Sequence, residues 1–80
     1  MNAKAYVLIE TAAGKSRSVA AALRALPGVT MADAVTGPYD VIAVVQAPTV
    51  NDIGRLVMND IHGQDGVVRT LTSVSVETTR

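Results

Sequence analysis

The chain has 80 residues, room for a single domain spanning 1–80, and a formal net charge of zero with its Lys and Arg dispersed, so it carries no basic footprint for nucleic acid. Cysteine is absent, which removes disulfides and thiolate metal centres, and no apolar run approaches the roughly 20 residues that span a bilayer. Apolar residues make up 49% of the chain and are almost all aliphatic, with two Tyr and no Phe or Trp; that is a large apolar share for so small a domain, and oligomerisation is the remaining common route to stability.

The opening Met1-Asn2-Ala3-Lys4 lacks the apolar core of a signal peptide, so a cytoplasmic protein is expected. Ala5-Tyr6-Val7-Leu8-Ile9 is apolar at both parities and reads as a first, central strand. A first helix starts near Ser16, a good N-cap type. Its apolar face is Val19, Ala22, Leu23 and Leu26, and Pro27-Gly28 ends it. Gly14-Lys15-Ser16 looks like the end of a phosphate loop. The motif also needs a Gly five positions earlier, where Ile9 stands, so the stretch reads as a loop and helix start.

A second strand is expected over Val29 to Thr36, with Val29, Met31, Asp33 and Val35 on one face; Asp33 among apolar neighbours marks an edge. Gly37-Pro38 makes a tight reversal, since Gly permits a positive φ and Pro fixes φ near about −65°. A third strand, 39–46, is apolar at both parities and again central. Tyr39 and Asp40 put an aromatic hydroxyl and a carboxylate on a rigid turn, a plausible binding element, although edge packing and turn formation account for the same residues. A second helix opens at Thr49, with Asp52 three residues on as in a capping box, and buries Ile53, Leu56, Val57 and Ile61. Gly63 is a natural C-cap, and His62 in the last turn suits the helix dipole. A last strand runs from Val67 to about Thr78, with Val68, Thr70, Thr72, Val74 and Val76 on one face and Arg69, Leu71, Ser73 and Ser75 on the other.

The order β-α-β-β-α-β contains two right-handed β-α-β crossovers. Interleaving them gives an α+β, ferredoxin-like antiparallel sheet of order 4-1-3-2. Both helices lie on one sheet face. The other face, carrying Tyr6, Leu8, Ile42 and Val44 or their opposite-parity neighbours, stays apolar and uncovered, which predicts a dimer of the α/β-barrel type that buries sheet against sheet. Within this fold a heavy-metal carrier lacks its Cys pair, and an RNA-recognition domain lacks stacking aromatics on its central strands. A small barrel enzyme needs His62 or Asp33 in a pocket, and no carboxylates pair by spacing. No metal or cofactor is expected.

Three stretches give the chain a wider likeness: Ala25-Leu26-Pro27-Gly28-Val29, the turn Val35-Thr36-Gly37-Pro38-Tyr39-Asp40, and Gly66-Val67-Val68-Arg69-Thr70-Leu71-Thr72. With them residues 5–77 resemble the C-terminal effector-binding domain of Lrp/AsnC transcription regulators. That resemblance implies dimers formed through the sheets, rings of dimers (commonly octamers), and a small amino-acid effector held between dimers. It implies ligand contacts at Gly37, Tyr39, Asp40, Thr70 and Thr72, and partners that include full-length regulators of the same family. Those regulators carry an N-terminal helix-turn-helix; this chain begins at strand one, so a stand-alone effector domain without DNA contact of its own, or a fragment of a longer regulator, is expected. A small dimeric barrel enzyme and a purely structural oligomer are the alternative readings.

Overall fold

Ala5, Val7 and Ile9 on β1 (Ala3–Thr11) and Val41, Ala43 and Val45 on β3 (Val41–Ala47) are all completely buried. They face one another across the antiparallel β1–β3 pair, Ala5 opposite Val45, Val7 opposite Ala43 and Ile9 opposite Val41. The computed structural model describes residues 2–77. β2 (Val29–Ala34) pairs with β3, and β4 (Val67–Val74) pairs with β1, giving one four-stranded antiparallel sheet of order β2-β3-β1-β4. The two runs that are apolar at both parities are therefore central, and the mixed runs are the edges.

Both helices pack on one face. α1 (Ser16–Arg24) lies over β2 and β3 and buries Val19, Ala20 and Leu23. α2 (Val50–Arg55, continued by a π-helical turn Leu56–Ile61) lies over β1 and β3 and buries Ile53, Leu56, Val57 and Ile61. Each large side chain sealed here, such as Ile9, Leu23, Ile53 or Ile61, contributes about 1.5–3 kcal/mol relative to exposure. Thr49 caps α2, its hydroxyl oxygen accepting from the Asp52 N–H at 3.1 Å and its O–H donating to the Asp52 carboxylate at 2.8 Å. α1 begins differently from the sequence expectation. Lys15 occupies the N-cap position without a side-chain cap, and Ser16 is already helical.

Two bulges shift faces that strict alternation assigns otherwise. Between Val29 and Met31 the β2–β3 register slips, so Val29 packs against the helix-side core while Met31 and Asp33 remain on the opposite face. Between Glu10 and Thr11 the β1–β4 register slips as well; Val67 packs toward the core and Val68 is 66% exposed. Strand bounds also differ from expectation. β2 ends at Ala34, because Val35 N–H donates to the Asp40 carbonyl (2.9 Å) and closes the reversal; β3 starts at Val41, leaving Tyr39 and Asp40 in the turn. β4 ends at Val74, and Thr78, to which the last strand was expected to extend, lies outside the described residues.

The helix-free face carries Tyr6, Leu8, Met31, Ile42, Val44 and Leu71 side by side in register. Tyr6 and Met31 are each 43% exposed and Leu71 52%, while Val44 is nearly buried between its cross-strand partners Tyr6 and Met31. Lys4 lies over the Tyr6 ring, 5.2 Å from its centroid, at one end of the patch. The Arg69–Glu10 ion pair closes the other end. Among the described residues no helix is long and apolar enough to cross a membrane.

Candidate functional site

The reversal after β2 is built from the residues that its conformation demands. Gly37 sits at φ +135°, a region closed to residues with a Cβ, and Pro38 follows it. The loop Thr36–Tyr39 is bracketed by the Val35–Asp40 hydrogen bond and then anchored to the neighbouring strand. Asp40 N–H donates to the Ile9 carbonyl at 2.9 Å, and the Asp40 carboxylate accepts from Thr11 N–H at 2.8 Å. One oxygen of Asp40 is therefore committed to β1. Tyr39 is half-buried beside it, and Gly37 is exposed at the tip.

Thr70 and Thr72 reach the helix side of the sheet from β4, opposite Ile9 and Val7 of β1. The helices pack chiefly over β1, β2 and β3 rather than over this edge strand. The result is a shelf beside α2 on which Thr70 is half-buried and Thr72 exposed. Val41, Ile9 and Thr70 form one row across β3, β1 and β4, so two strand steps of about 5 Å separate the residue that follows Asp40 from Thr70. The turn and the shelf thus share one end of the sheet, where Ala12 N–H donates to the Gly66 carbonyl (2.8 Å) and Lys15 pairs with Asp65 (3.4 Å). That ion pair also gives the Lys of the Gly14-Lys15-Ser16 stretch a structural partner.

His62 joins the same place. It closes α2, its backbone N–H donating to the Val57 carbonyl five residues back, and its Nε2 lies 2.5 Å from Thr70 Oγ1. In sequence His62 reads as a helix-end residue, or as the pocket residue of the alternative barrel enzyme, and neither reading pairs it with Thr70. The contact links a helix terminus to an edge strand through the π-helical turn, and no local spacing announces it. Asp33 is elsewhere, exposed on β2 and 3.9 Å from Arg24.

Two shallow grooves mark the surface. One of about 550 Å³ runs along the outside of α2 past Val50, Gly54, Arg55 and Met58. The other, about 230 Å³, lies between the start of α1 and the end of β2, lined by Ser16, Arg17, Ala34, Val35 and Thr36; it abuts the Thr36–Tyr39 loop. None of Gly37, Tyr39, Asp40, Thr70, Thr72, His62 or Asp33 lines either groove. Within one chain the five sequence-designated residues form an open surface of hydroxyls, backbone N–H groups and one carboxylate. No three His, Asp or Glu side chains among the described residues gather as a metal site.

The same architecture recurs in known proteins. A protein from Thermus thermophilus superposes with a TM-score of 0.88 at 31% identity, covering 98% of each chain. A hypothetical protein from Pyrococcus horikoshii does so with a TM-score of 0.87 at 33% identity, over 98% of this chain and 93% of that one. At the level of fold, a transcriptional regulator from Neisseria meningitidis solved as a complex with L-methionine matches 98% of this chain and 52% of its own at 21% identity, TM-score 0.81. Among curated sequences, an uncharacterised HTH-type transcriptional regulator of Pyrococcus abyssi is 31% identical over 64 residues, 80% of this chain. The chain spans less than half, 43%, of that relative's length. The model of the Lrp/AsnC ligand-binding domain matches residues 4–80, nearly the whole sheet-and-helix unit just described, and by that match the chain belongs to the Lrp/AsnC ligand-binding domain family.

Proposed function

We propose that this chain is an amino-acid-binding regulatory and assembly domain, acting without catalysis. It takes a small amino acid at the end of the sheet where the Thr36–Tyr39 loop, Asp40, Thr70 and Thr72 lie together. The observation that carries the reading is that juxtaposition, on a chain that belongs to a ligand-binding family. An amino acid needs an acceptor for its ammonium and donors for its carboxylate. The Asp40 oxygen that does not meet Thr11 supplies the first; the Thr hydroxyls and the N–H groups of the Gly37 loop supply the second. Tyr39 packs against the ligand side chain.

The open geometry fits a site completed by a neighbouring copy. In this reading two chains pair through the helix-free face, whose apolar patch is otherwise left in water, and dimers associate into a ring, an octamer by family resemblance, around the effector. The Neisseria regulator with L-methionine shows that a protein of this fold accepts an amino acid. Full-length HTH-type regulators, such as the Pyrococcus relative, are the natural partners through the same sheet face, and the cytoplasm is the compartment this role requires.

Light scattering coupled to size exclusion at micromolar protein tests the reading, with and without each of the common amino acids. The expected result is a multimer of dimers whose size or thermal stability responds to one or a few of them, because a ligand held by the assembly shifts its equilibrium. Tyr39→Ala should weaken that response without unfolding the domain. An assembly of fixed size, indifferent to every amino acid, makes the chain a structural oligomer instead.

A further inference from the structure

The His62–Thr70 contact assigns a role that the helix-end position of His62 does not explain. A hydroxyl has a single proton to give. When Nε2 of His62 is unprotonated, the Thr70 O–H donates to it, and only oxygen lone pairs face outward over the shelf. When Nε2 carries a proton, it donates to Thr70 Oγ1, and the hydroxyl proton is free to point outward. Neutral imidazole divides between these arrangements according to its tautomer. The imidazolium permits only the second, and adds a positive charge beside it.

We infer that His62 is a positioning residue that sets the polarity of the Thr70 hydroxyl, turning Thr70 into a hydrogen-bond donor to the α-carboxylate of the bound amino acid and coupling ligand binding to uptake of a proton. The inference rests on the proposed amino-acid site and adds which end of the ligand meets β4: the carboxylate lies over Thr70 and His62, the ammonium toward Asp40. Two of the other charges near His62 are engaged elsewhere. Asp65 pairs with Lys15, and Glu10, next to the Ile9 that faces Thr70, pairs with Arg69 on the far side of the sheet. Asp60, two residues back on α2, is exposed, and its carbonyl accepts from the Gln64 side chain at 3.3 Å. Across β1, the neighbour of Thr70 is the neutral, buried Ile9.

Calorimetric titration of the whole chain with each of the twenty common amino acids at pH 5.5, 7.0 and 8.5 tests this, using the native chain, His62→Gln and Thr70→Val. Histidine changes charge between about pH 5 and 8. The expected result is binding that tightens about fivefold from pH 8.5 to 5.5, the worth of one added hydrogen bond, with heats that depend on buffer ionisation as proton uptake requires. Both variants should keep the fold; His62→Gln should bind with a flat pH profile, and Thr70→Val, which keeps the imidazolium charge but loses the hydroxyl donor, with a shallower one than the native chain. An unchanged profile in His62→Gln, or binding that tightens as pH rises, overturns the inference while leaving the amino-acid site standing. Binding of no amino acid at any pH overturns the proposed function and this inference together.

Discussion

The Asp40 carboxylate accepts the backbone N–H of Thr11 at 2.8 Å, across 29 residues of sequence. It thereby ties the reversal between β2 and β3 to the last residue of β1. The same aspartate is the only carboxylate in the proposed binding loop, so its structural and ligand roles separate by substitution. Asp40→Ala leaves the partly buried Thr11 N–H without its acceptor and should cost about 1–3 kcal/mol. Asp40→Asn keeps an oxygen for Thr11 and removes the charge. It should unfold within a few degrees of the native chain yet bind the amino-acid ammonium at least tenfold more weakly. Thermal denaturation paired with calorimetric titration reads both effects; an Asn variant with full affinity would take Asp40 out of the ligand site.

Leu71 is half exposed on the edge strand of the helix-free face, so a charge there costs one isolated chain little. Leu71→Lys should leave the melting temperature at high dilution nearly unchanged but break the proposed sheet-to-sheet dimer, lowering the mass in sedimentation velocity. Met58→Lys, on the outside of α2 where the residue is 74% exposed, serves as the contrast and should leave that dimer intact. Equal masses for the native chain and Leu71→Lys would place the interface elsewhere.

Gly66 and Gly37 both hold positive φ, +94° and +135°, but their surroundings differ. A Cβ at Gly66 meets Lys15 Cβ at 2.9 Å and Val19 Cγ2 at 3.1 Å, whereas at Gly37 nothing stands within 4 Å. Gly37→Ala should cost backbone strain alone, about 1–3 kcal/mol. Gly66→Ala adds displacement of α1 and should be the less stable of the two in urea denaturation. A smaller loss at Gly66 would mean that the loop before β4 yields easily to α1.

The sheet order, its central strands and the uncovered face were legible because apolar residues occupy both parities in the runs at 5–9 and 41–45, while the runs of β2 and β4 mix in polar residues. The α2 stripe was legible to the residue, since Ile53, Leu56, Val57 and Ile61 are all buried. What escaped depends on slips of a single residue or on distant partners. Val29 and Val68 have the composition of regular strand residues, and only pairing with β3 and β1 reveals the bulges beside them. The clamp by Asp40 needs the Thr11 N–H, and the role of His62 needs Thr70; neither partner lies within a helical turn or a strand repeat of it.

The π-helical turn Leu56–Ile61 holds one residue more than an α-helix needs to cover the same rise. If the segment relaxed to ordinary helical pitch at its full length, the residues beyond it, His62 first, would turn by about 100° around the axis. The imidazole would swing off the shelf while the helix, its cap and most of its buried stripe survived. The wide pitch of this segment therefore works as a phase setting, which fixes whether the end of the second helix addresses the edge strand or open water.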